Sequence, residues 1–154
     1  MSRASSRTAR SIKAAPEKVY AAFMDPDSLL AWLPPDEMTG KIHSFAARKD
    51  GGYEMSLFYP ETEHQFHGKT AEKEDRVKVR FIDLVPGRRI VEAVTFVSDD
   101  PALAGEMRIE ITFEPAPEGT AVTFHCTNLP PGLRPEDNDE GTRMSLDQLA
   151  RFVE

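Results

Sequence analysis

Along this chain the spacing of apolar residues changes from helical to alternating and back again, and the changes mark out the elements. Val19, Tyr20 and Phe23 recur at helical spacing behind Pro16-Glu17. A proline and an acid suit a first helical turn, which predicts a helix over residues 16–24. Asp25-Pro26-Asp27 then offers a cap, a first-turn proline and an acidic first turn. A second short helix should therefore carry Leu29, Leu30, Trp32 and Leu33 and stop at Pro34-Pro35. Residues 8–12, ahead of both helices, read as a short edge strand.

From Gly40 the period drops to two. Residues 43–47 and 53–59 flank Asp50-Gly51-Gly52 as a hairpin. Strands over 66–72, 77–84 and 90–97 follow, divided by the charged turn Lys73-Glu74-Asp75 and by Pro86-Gly87. After a polar loop over 98–105, Met107, Ile109, Ile111 and Phe113 alternate with Arg108, Glu110 and Thr112, the pattern of a half-buried strand. Residues 120–128 return with Val122, Phe124 and Cys126 facing in and His125 facing out.

Residues 129–137 hold three prolines and a glycine, which predicts an irregular loop with Asn138 or Asp139 capping the final helix. That helix presents Thr142, Leu146, Leu149 and Val153 as a stripe, widened by Met144, Ala150 and Phe152. Two short helices, six or seven antiparallel strands and one closing helix make an α+β pattern. Only the concave face of the sheet offers enough surface to bury the closing helix. The expected architecture is a helix-grip fold, a curved sheet wrapped around the C-terminal helix.

The chain has 154 residues, the size of one domain spanning 1–154, with residues 1–7 as a frayed lead-in. Hydrophobic residues at 40% and charged residues at 29% are a globular balance. A net charge of -7 argues against nucleic acid and anionic lipid as partners. The sequence has no run of about 20 apolar residues that would span a membrane. A cytoplasmic setting fits, as does the single cysteine, Cys126, read as a buried thiol.

Candidate chemistry is sparse. His64 and His67 stand three apart, so on a strand they point to opposite faces and do not converge on a metal. His125 and Cys126 point apart for the same reason, which argues against a nucleophile pair. Glu136, Asp137, Asp139 and Glu140 lack the glycine and distal glutamate of a calcium loop and suit a helix start. Phosphate loops, nucleophile elbows and zinc-protease helices are absent, and no cofactor is expected. An enzyme would need dispersed groups such as Tyr53, Asn128 and Arg143.

Ile12-Lys13-Ala14-Ala15-Pro16-Glu17-Lys18-Val19-Tyr20-Ala21-Ala22-Phe23, Asp25-Pro26 and Trp32-Leu33-Pro34-Pro35 come first, followed by Asp50-Gly51-Gly52-Tyr53. Gly68-Lys69-Thr70-Ala71-Glu72, Thr112-Phe113, Gly119-Thr120 and Ser145-Leu146-Asp147-Gln148-Leu149 complete the series. In this order the chain resembles the activator-of-heat-shock-protein-90-ATPase-like branch of the START superfamily. That superfamily includes lipid-transfer domains, polyketide cyclases and birch-pollen-allergen-like proteins. One departure is Gly141-Thr142, where the family often has Gly-Trp, and its loss would open space between helix and sheet.

The resemblance implies an apolar cavity between the sheet and the last helix. Its expected lining is Trp32, Tyr53, Met55, Phe66, Phe81 and Phe96 from the first part of the chain, with Met107, Ile109, Met144, Leu146 and Leu149 from the second. Asn128 and Arg143 would orient a ligand. A small apolar or aromatic ligand is the first implied partner. A chaperone or other protein partner is the second, and a cyclase- or hydrolase-like enzyme the third. Monomer and homodimer are both compatible with the sequence, since the edge strand at 8–12 needs cover.

Overall fold

In the computed structural model, residues 4–35, 38–59 and 74–154 are described. Their strands are β1 (Ser6–Ile12), β2 (Thr39–Ala46), β3 (Gly52–Phe58), β4 (Glu74–Val85), β5 (Arg89–Phe96), β6 (Glu106–Ala116) and β7 (Gly119–Thr127). All pair antiparallel in one sheet of order β1-β7-β6-β5-β4-β3-β2. The run from β2 to β7 is a meander, and β1 returns to pair with β7 in the register Ser6 to Cys126 through Ile12 to Thr120. The helices are α1 (Pro16–Ala21), α2 (Pro26–Trp32) and α3 (Pro135–Val153), so the fold is the α+β helix-grip arrangement. None of the helices is long and apolar enough to cross a membrane.

Local chemistry sets the ends of these elements. Asp25 accepts hydrogen bonds from the Ser28 amide and hydroxyl, both at 2.9 Å, and so caps α2. The first helix is three residues shorter than predicted. After Ala21 the backbone closes with tighter bonds, Phe23 N to Tyr20 O and Met24 N to Ala21 O, which turn the chain into α2. Gly52 starts β3 at φ +145°, where a Cβ would fall 1.9 Å from the Val79 carbonyl oxygen, so only glycine fits between β3 and β4.

Three further sequence expectations change, and one falls outside the described residues. Glu74 and Asp75 form no turn but open β4, in register with Phe58 and Leu57. The strand expected over 66–72, with Phe66, lies outside the described residues, as do His64 and His67. β1 begins at Ser6, so residues 6 and 7 are strand rather than lead-in. Lastly, α3 starts at Pro135, three residues before the predicted cap Asn138. A proline at the first helical position lacks an amide that would have no partner there, so the proline-rich loop hands directly into the helix.

The buried residues of α3 are Ser145, Leu146, Leu149, Ala150 and Val153, which match the predicted stripe at its centre. Phe152 does not widen it. The residue is 47% exposed, being turned about 100° around the helix from Val153. Gly141 stands inside this helix, and a Cβ there would meet nothing within 4 Å. Gly141→Ala is therefore expected to stabilise the protein by about 0.5–1 kcal/mol, read as a rise in the midpoint of denaturant unfolding.

Two contacts fix the N-terminal helices against the rest of the core. Trp32 is fully buried, donates from Nε1 to the Ala22 carbonyl at 2.9 Å, and meets Phe23 edge-on at 4.7 Å. Phe23 in turn packs on Phe113 and Phe124 of the sheet at 5.3 and 6.0 Å. On the other side, α3 holds the end of α2. Ser145 Oγ donates to the Leu33 carbonyl at 2.7 Å, and Gln148 Nε2 to those of Trp32 and Pro34 at 2.6 and 2.8 Å. These bonds satisfy carbonyls that a helix end leaves open.

A candidate ligand cavity between sheet and helix

Strand register dictates which side chains share the concave face. One row crosses β3 to β6 as Tyr53, Val79, Val94 and Met107, and the next crosses β4 to β7 as Phe81, Glu92, Ile109 and Cys126. Where these rows run under α3 they form a cavity of about 250 Å³ that opens to solvent. Met55, Val77, Phe96, Phe124 and Leu133 complete most of its apolar wall. Leu33 and Pro35 reach it from the segment held by Ser145, while Asp137, Gly141 and Thr142 reach it from α3.

The sequence-predicted set divides accordingly. Tyr53, Met55, Phe96, Met107 and Ile109 line the cavity. Trp32, Phe81, Leu146 and Leu149 are buried in the core but stand outside the lining. Met144 is half-buried and also outside it. Neither polar candidate is in place. Asn128 is exposed at φ 59° and donates from Nδ2 to the Glu106 carbonyl at 2.7 Å, a strand-end contact. Arg143 is exposed on the outer side of α3.

The polar groups that do face the cavity come from strand interiors. Glu92 is only 5% exposed, lines the cavity, and makes no hydrogen bond or ion pair with any described residue. Burial pushes its carboxyl up to about 8, so at neutral pH it is mostly protonated and can donate a hydrogen bond. Tyr53 stands in the neighbouring row with its ring stacked on Phe45 at 5.7 Å. Its hydroxyl is raised well above the usual range, first by burial and then by the Glu92 charge. Asp75, also buried, accepts from the Tyr59 hydroxyl at 2.8 Å.

Cys126 lines the same space at 1% exposure. Burial raises its thiol, opposed by hydrogen bonds from Asn138 and Ser6, so it stays a thiol rather than a nucleophilic thiolate. His125 points to the outer face, in register with Arg7 and Glu110. The geometry separates the two side chains as alternation requires.

Sequence reasoning passed over Glu92 although it carried a signal. Within Ile90-Val91-Glu92-Ala93-Val94, an otherwise apolar run, the acid sits at the same parity as Ile90 and Val94, and inward parity for an unpaired acid marks a polar point inside an apolar space. The resulting cavity has a mainly apolar wall, and Tyr53 and Glu92 carry protonated oxygens among its few polar groups. No Lys, Arg or His is among the described residues that line it.

Residues 13–154 match the family described as Activator of Hsp90 ATPase homolog 1-like protein. A crystal structure of a protein from Chromobacterium violaceum is 33% identical, covering 97% of this chain and 96% of its own, with a TM-score of 0.82. The AHSA1 protein from Silicibacter pomeroyi is 19% identical over 96% of each chain, with a TM-score of 0.76. A solution structure of a protein from Arthrobacter aurescens is 15% identical over 99% of this chain and 90% of its own, also at 0.76. No curated protein matches the sequence.

Proposed function

From the premise that this chain belongs to the Activator of Hsp90 ATPase homolog 1-like family, we propose that it binds a small apolar or aromatic molecule between the sheet and α3. The observation that carries this reading is the cavity itself. It occupies about 250 Å³ in a domain whose core is otherwise closed by Trp32, Phe81, Leu146 and Leu149. An apolar cavity of about 150 Å³ is enough for a benzene-sized guest, so this one suits a molecule of one or two rings.

Thr142 supplies the test. Its side chain lines the cavity, and its hydroxyl donates to the Asn138 carbonyl at 2.8 Å within the helix, so a larger side chain there points into the same space. Thr142→Trp is expected to fill the cavity. Native mass spectrometry of freshly purified wild-type protein should show a non-covalent mass that denaturation removes and that Thr142→Trp lacks. A bare mass for wild type, with no thermal shift across a library of small aromatics, would count against binding.

A protein-partner reading has less support. Large exposed apolar side chains among the described residues are Val85, Val97 and Phe152. Val85 ends β4 beside Arg89, whereas Val97 follows the Phe96 to Val77 pair at the other end of the same hairpin. Eight strand positions place the two valines about 26 Å apart, so they do not join into one patch.

A further inference from the structure

We propose that the polar end accepted by this cavity is a protonated amine, so that the ligand is a small aromatic or alicyclic amine whose ammonium sits on Glu92. The inference rests on the binding role proposed above and adds the chemical class of the guest. Glu92 is a carboxyl 95% removed from solvent, aimed into the cavity and unpartnered among the described residues. A buried polar group without a partner is costly, and a ligand that supplies the partner recovers that cost on binding.

The surrounding groups select the charge of that ligand. The other ionisable groups that line the cavity are Tyr53 from β3, Asp75 from β4, Cys126 from β7 and Asp137 from α3, while β6 contributes the apolar Met107 and Ile109. Every ionisable group in this set is an acid. An anionic guest would meet carboxyl groups and no described cation, whereas an ammonium gains an ion pair and lies among the rings of Tyr53, Phe96 and Phe124. A neutral alcohol can offer one hydrogen bond but no charge.

Binding must then move a proton. In the empty cavity Glu92 holds its proton up to about pH 8. When the ammonium enters, the carboxyl O–H bond breaks, the carboxylate pairs with the ammonium, and the proton leaves to solvent. Affinity for the amine should therefore rise about tenfold per pH unit as pH climbs toward that value, and level off above it.

The test uses the intact protein with 13C-labelled methionine methyls, since Met55 and Met107 both line the cavity. Indole serves as the neutral probe of the space. 2-Phenylethylamine, 2-phenylethanol and phenylacetate compare charge on a similar skeleton. The amine is expected to shift the Met55 and Met107 signals with an affinity about tenfold or more above that of the alcohol, and phenylacetate to leave them in place. Glu92→Gln should abolish the amine's advantage while indole still binds. Equal binding of alcohol or carboxylate, a preference that survives Glu92→Gln, or an amine affinity that is flat between about pH 6 and 8 overturns the assignment while the cavity stands. If indole itself moves neither methyl, the binding role fails, and this inference with it.

Discussion

Glu92→Gln is expected to flatten the pH dependence of stability and to leave the variant more stable than wild type at alkaline pH. In the folded protein the carboxyl titrates at about 8, raised from 4.5 by burial. Between these values the folded state keeps a proton that the unfolded chain has lost, so the unfolded state binds fewer protons and stability falls as pH rises. The contribution is fully present below 4.5 and is lost once pH passes about 8. At about 1.4 kcal/mol per pH unit, the span corresponds to a loss on the order of 5 kcal/mol. Gln has the same shape and no titration. Chemical denaturation of both proteins at acid, neutral and alkaline pH should give curves that diverge with rising pH. Parallel curves would mean that the carboxyl titrates as an ordinary surface acid, which would require a wetter cavity.

The second large effect belongs to Trp32→Ala. Removing a fully buried indole forfeits its packing on Phe23 and leaves the Ala22 carbonyl without its 2.9 Å donor. The cost should be about 3–5 kcal/mol, a large fraction of the roughly 5–15 kcal/mol that holds a domain folded. Trp32→Phe should cost less, since it keeps a ring against Phe23 but still leaves that carbonyl unpaired. The chain has one tryptophan, so far-UV circular dichroism in guanidinium is the suitable probe. Similar midpoints for wild type and Trp32→Ala would remove Trp32 as the anchor of the two N-terminal helices.

Much of the fold was legible because its strands obey strict alternation. Met107, Ile111, Phe113, Val122, Phe124 and Cys126 are all buried at the parity the sequence assigns. Helix starts at Pro16 and Pro26 were legible for a local reason, since a first-turn proline acts within one turn of chain. The same rule, applied to Pro135, would have placed the start of α3 correctly; the neighbouring Pro130 and Pro131 masked it by making the whole segment read as loop. The cavity was less legible. Asp75 and Glu92 are charged types, and charged types are ordinarily placed in turns or on the solvent face. Their burial follows only from cross-strand register, which sets Glu92 between Phe81 and Ile109 and Asp75 opposite Leu57. Asn128 and Arg143 failed the other way, as polar residues near the right elements whose side chains are turned out to solvent.

The pairing of β1 with β7 also bears on how the protein is made. Ser6 emerges from the ribosome long before Cys126, its partner across the sheet. Until β7 is available, β1 has no neighbour, and the apolar side of the early hairpins waits for α3, which follows later still. Sheets joined across such a sequence separation fold slowly, because the loop must close before its contacts form. Nascent chains stalled before α3 should therefore present open strand edges and an uncovered apolar face, the state in which a growing chain most needs protection from aggregation.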